Sequence, residues 1–154
     1  MTQGSKAAGA LGEGLKLIAQ DEEDLMVFSS LLQDAIVRVG DMSFLPSTRR
    51  FALVLNRFVW EGEGDARTRR PLRVRSGLHF EHVRSAKARG IPLRDPAHVL
   101  ELLAIVSSEE DETGLVIDLV FAGGGQIRLE VEAPEAQLRD MTQPWTARAR
   151  PAHE

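Results

Sequence analysis

The sequence predicts an α+β domain: a mainly antiparallel, strongly curved sheet or partly closed barrel, one amphipathic N-terminal helix and a short C-terminal helix. Three observations lead there. Apolar residues follow a helical period over one stretch only, about residues 22–33, and elsewhere recur with period two. Short clusters rich in Gly, Pro, Ser and Asp separate the alternating runs. Nothing between strands after Ala35 is long enough for a helical crossover, so neighbouring strands must pair antiparallel.

Each element follows from its residues. Residues 1–14 are small, glycine-rich and without period, and are expected to form a disordered leader to a single domain over 15–146, with a tail over 147–154. Leu15–Ala19 is a short apolar run and the first strand. Asp21 caps the helix, with Glu22, Glu23 and Asp24 complementing the dipole of its first turn. Leu25, Phe28 and Leu32 share its apolar face. Ala35–Val39 and Met42–Leu45 read as two strands of a hairpin turning at Gly40-Asp41. Pro46-Ser47-Thr48 makes the next turn. Phe51–Trp60 (FALVLNRFVW) is the longest apolar run and reads as a central strand, apolar on both faces over much of its course.

A polar loop, Glu61–Pro71, leads to the alternating segment Leu72–Val83. There Leu72, Val74, Leu78 and Phe80 point one way, and Arg73, Arg75, His79 and Glu81 the other; Gly77 suggests a bulge. Arg84–Ile91 reads as an edge strand guarded by its Lys and Arg. Val99–Val106, Leu115–Phe121 and Ile127–Glu132 are three further strands, the last two joined at Gly123-Gly124-Gly125. Pro134 and Glu135 suit the start of a C-terminal helix that ends at Pro144, with Trp145 as an apolar anchor. Closure of the sheet would remove exposed edges, and the C-terminal helix would cover one open end. A pleckstrin-homology-like barrel is one arrangement of this kind, by analogy of element order.

Composition narrows the function classes. The chain has 154 residues and no cysteine, which excludes disulfides, thiol catalysis, iron–sulfur clusters and thiolate zinc sites. The N-terminus lacks the apolar run of about 7–15 residues that a signal peptide needs, and no stretch approaches the ~20 apolar residues of a membrane span. A cytoplasmic protein with no membrane partner is expected. The net charge of −4 argues against a generic nucleic-acid binder.

The residues that could carry chemistry do not assemble a motif. No serine sits in G-x-S-x-G or S-x-x-K, and Ser29 and Ser30 fall within the helix. His79 and His82, three apart on a presumed strand, point to opposite faces and cannot share an ion; His98 and His153 stand apart. The acidic run Glu109-Glu110-Asp111-Glu112 lacks the spacing of a calcium loop and reads as a solvated turn. Gly123-Gly124-Gly125 is followed by a strand, so the helix N-terminus of a phosphate-binding loop is missing. Glu130 and Glu132 share a strand face without any sign of burial. No catalytic residue, metal site or cofactor is expected.

Charge distribution is the one uneven feature. Arg67–Arg94 holds nine Lys or Arg and one acid, Glu81; Glu101–Glu132 holds eight acids and one base, Arg128. Arg67, Arg69 and Arg70 fall in the long loop, and Arg73 and Arg75 share a face of the next strand. Arginine suits bidentate contact with carboxylate or phosphate. A nucleic-acid platform would also interleave aromatic residues, and Phe80 lies on the opposite face. The competing expectation is internal: basic and acidic strands pair with each other in one sheet or across a homodimer.

The segments LKLIAQDEEDL, LLQDAIVRVGDMSF, RRFALVLNRFVWE, RVRSGLHFEHV, RGIPL, LELLAIV, FAGGGQIRLEVE and PW…RPAHE together resemble an uncharacterised bacterial family, the domain of unknown function numbered 2948, over about residues 15–154. The resemblance implies a small stand-alone bacterial protein and brings no activity or site residues. The expected function is a non-enzymatic binding module that meets a protein or anionic partner through Arg67–Arg75. The alternatives are a small enzyme or metabolite binder with a site in a groove near His79, His98 or Asn56, and a structural homodimer.

Overall fold

The computed structural model describes residues 14–60, 71–110, 114–143 and 145–146. Ten strands and one helix lie among them. In chain order they are β1 (Lys16–Ala19), α1 (Glu22–Leu32), β2 (Ile36–Leu45), β3 (Arg50–Trp60), β4 (Pro71–Phe80), β5 (Val83–Arg89), β6 (Val99–Glu110), β7 (Gly114–Phe121), β8 (Gln126–Val131), β9 (Ala136–Asp140) and β10 (Trp145–Thr146). The spatial order is β1-β9-β4-β3-β2-β6-β7-β8-β5, with β10 paired to β4. All pairings are antiparallel. Among the described residues the fold is mainly β, an antiparallel sheet with one α-helix, and the sheet is not closed into a barrel.

Alternation builds the core. On β4, Val74, Ser76, Leu78 and Phe80 are buried on one face; on β3, Phe51, Leu53, Leu55 and Arg57 are. Phe28, Phe51, Phe80 and Phe121 are its largest members and are almost fully buried. The start of β6 pairs with β2 and its remainder with β7, so one long strand joins the two halves of the strand order. Helix α1 begins where Asp21 accepts a hydrogen bond from the Asp24 N–H at 2.8 Å. It buries Leu25, Phe28 and Leu32, and the Ile105 N–H of β6 donates to its Ser29 hydroxyl at 2.9 Å.

Three sequence expectations are corrected. The first is the C-terminal helix. Residues 136–140 form β9, inserted between β1 and β4, with Ala136 and Leu138 fully buried. Their period of two, and the unfilled place beside β4, outweigh the helix-start preference of Pro134. Closure and the C-terminal helix, both parts of the barrel expectation, are thus not found among the described residues.

The second is the hairpin at Gly40-Asp41. β2 runs unbroken from Ile36 to Leu45, yet Val37 opposes Leu55 and Met42 opposes Leu53, so the residues between leave the β3 register. Gly40 is there for proximity: its N–H donates to the Pro96 carbonyl at 2.9 Å, and a Cβ would stand 2.8 Å from the Pro96 Cβ. The third is the bulge at Gly77. β4 keeps continuous register through it, opposite Val54 on β3 and Arg139 on β9.

Candidate functional site

The face of β3, β4 and β9 that turns away from the core carries the polar chemistry. Parity places Arg73, Arg75, Gly77 and His79 of β4 on it, beside Ala52, Val54, Asn56 and Phe58 of β3 and Gln137 and Arg139 of β9. Ser43, Ala52, His79 and Gln137 form one row across four strands. Ala52 and Gly77 present almost no side chain, so the sheet is hollowed there into a groove of about 680 Å³. On one side the groove is bounded by Gly40, Asp41 and Ser43, and on the other by Gln137, Arg139 and Met141.

The predicted arginines divide. Arg67, Arg69 and Arg70 lie outside the described residues. Arg73 sits 4.1 Å from the centroid of the Phe58 ring, its register partner on β3. The aromatic companion that Phe80 could not provide therefore comes from the neighbouring strand. Arg75 is exposed at the groove's margin, its Nη2 3.9 Å from Asp41 Oδ2. Arg139 is diagonal to Arg75, since Gly77 opposes Arg139, and long side chains at that separation reach each other's space. Sequence reading did not single out Arg139, because it falls in the segment read as a helix.

The His79 ring borders the groove and engages Glu81 through Nδ1; Glu81 also forms an ion pair with Arg50, whose Nε lies 2.9 Å away. The carboxylate thus fixes the ring and leaves Nε2 as its remaining polar atom. Asn56, between Ile36 and Arg75 in the sheet register, has a buried Oδ1 without a partner among the described residues. His98 is exposed in the loop before β6 and is not part of the groove.

Behind the same strands lies a polar cluster that the sequence did not announce. Arg57 and Asp140 form a bidentate pair, Nε to Oδ1 at 3.0 Å and Nη2 to Oδ2 at 2.9 Å. Ser76 Oγ donates to Oδ1 at 2.7 Å, and the Leu15 N–H donates to Oδ2 at 2.9 Å. Burial pushes the Asp140 carboxyl up, but the hydrogen bonds from Arg57, Leu15 and Ser76 outweigh it and hold the group below its ordinary value. The carboxylate is fully engaged, so the cluster clamps β1, β3, β4 and β9 together and offers no reactive group.

The expected pairing of basic with acidic strands is partial. β5 lies beside β8, Ser85 Oγ donates to Glu130 at 3.0 Å, and Arg49 pairs with Glu132 at 2.9 Å. The bases of β4, however, lie between β3 and β9, away from the acidic β6 and β7. Strand order therefore keeps these bases from the acidic strands, and on the groove face Arg75 meets Asp41 instead.

A protein family described as "Protein of unknown function (DUF2948)" matches residues 15–153, and the chain belongs to it. No curated protein and no solved structure matches.

Proposed function

We propose that this member of a family of unknown function is a non-enzymatic binding module of the bacterial cytoplasm that engages an anionic ligand or partner on the outer face of β3, β4 and β9. One observation carries the reading: Arg75 and Arg139 stand at diagonal positions beside a groove whose floor is kept low by Ala52 and Gly77. Arginine forks match carboxylate and phosphate geometry, and a concave surface multiplies what two exposed charges can do. Arg67, Arg69 and Arg70, in the segment between β3 and β4, lie outside the described residues. The absence of cysteine fits a reducing compartment.

The test is a thermal-shift panel with oligoglutamate and polyphosphate at low and physiological salt. At least one polyanion should stabilise the wild-type protein in a salt-sensitive way, and R75E/R139E should lose that stabilisation. A control variant, Arg94→Glu, changes an exposed charge outside the face and should retain it. The reading fails if no polyanion stabilises the protein, or if R75E/R139E responds as the wild type does.

A further inference from the structure

We infer that the groove over Gly77 is a site for a small organic acid, with a carboxylate or phosphate head and an apolar body. The inference rests on the binding role proposed for this face and narrows it to one position and one ligand class.

Gly77 is the reason. Glycine inside a strand weakens it, so a strand glycine calls for a local cause. At Gly40 the cause is Pro96, which a Cβ would strike, and at Gly114 it is a φ of +100° with the Val131 carbonyl 3.3 Å from any Cβ. Gly77 has neither. Its φ is not in the left-handed region, its register is unbroken, and a Cβ would meet only the Met141 sulfur, at an ordinary 3.5 Å. The fold would accept a side chain here. What a side chain would remove is the floor of the groove.

The walls define what fits. A volume of about 680 Å³ is on the scale of a small-molecule site. Ala52, Val54 and Met141 offer apolar surface, while Gln137 supplies an amide. The charged groups around it are Arg139 and Asp41, with Arg75 at the margin, and Asp140 turned to the core side with Arg57. Asp41 already faces Arg75, whereas Arg139 makes no ion pair among the described residues. The uncommitted charge beside the hollow is therefore positive.

Amide chemical shifts of the full chain, titrated separately with benzoate, phenyl phosphate and the neutral benzyl alcohol, test this. Saturable shifts at Gly77, His79 and Arg139 with at least one anion, and none with the alcohol, are expected; the anion that binds tells carboxylate from phosphate. Gly77→Val should weaken that binding by about tenfold or more without lowering Tm, and Gly77→Ala should weaken it less. No saturable shift from either anion, equal binding of the alcohol, or wild-type affinity in Gly77→Val would overturn the inference. If polyanion binding is lost in R75E/R139E yet unchanged in Gly77→Val, the basic face stands and the groove falls.

Discussion

Replacing Asp140 by Asn probes the clamp behind the groove. Only 5% of the Arg57 side chain and 4% of the Asp140 side chain is exposed. Asn keeps the size of Asp but loses its charge, and turns one acceptor into an NH2 donor. On the Oδ1 side that donor would face Arg57 Nε and the Ser76 hydroxyl; on the Oδ2 side it would face Arg57 Nη2 and the Leu15 N–H. Whichever way the amide turns, it opposes an arginine N–H, and Arg57 is left buried without its counter-charge. Breaking such a pair costs about 3–5 kcal/mol. At roughly 2–4 °C per kcal/mol for a chain of this size, Tm should fall by about 6–20 °C. The double variant Arg57→Met/Asp140→Leu should recover much of the loss, because it removes the orphaned charge together with its desolvation. The acid limb gives an independent readout. The folded Asp140 carboxyl sits below its ordinary 3.8, so its stabilisation is complete above that value and lost as pH falls through the lowered one. Urea midpoints between about pH 5 and 2 should therefore fall less steeply in Asp140→Asn than in the wild type. A loss below about 1 kcal/mol, the scale of an exposed pair, would refute the reasoning. So would a double variant no more stable than Asp140→Asn.

Two further substitutions test local claims. Gly40→Ala should destabilise by about 1–3 kcal/mol in urea unfolding, since its Cβ would stand 2.8 Å from the Pro96 Cβ and 3.1 Å from its carbonyl oxygen. Asp21→Ala removes the 2.8 Å cap of α1 and should lower stability by about 1 kcal/mol, read from thermal unfolding by circular dichroism.

Most strands were legible because their causes are local. Leu25, Phe28 and Leu32 mark the helix by spacing alone, and Asp21 marks its start; both are where the sequence places them. The errors arose where a distant neighbour decides. Gly40-Asp41 has the composition of a tight turn, but the chain is held extended by backbone contact with His98 and Pro96, which lie far along the sequence. Pro134-Glu135 has the composition of a helix start. Yet β9 is stabilised by β1 on one side and β4 on the other, the first separated from it by most of the chain and the second by the sequence from Glu81 to Glu135.

The candidate site divides along the same line. Strand parity alone put Arg73 and Arg75 on one face, opposite Phe80, and that face is where they stand. Parity also contained a warning about Arg57: Phe51, Leu53 and Leu55 are core residues, and the next residue in phase is an arginine. A charge in phase with a core face demands a counter-charge, and Asp140 supplies it from 83 residues away. Which acid answers depends on strand order, and strand order is what a period of two cannot give. The same holds for Gly77. Glycine in a strand reads equally as a bulge or as a place of close approach. The two are separated only when β3 and β9 are laid beside β4, for then the register passes through unbroken and a Cβ is seen to meet nothing nearer than the Met141 sulfur, at an ordinary 3.5 Å. The arginines could be found by counting; the hollow they border exists only once four strands are in order.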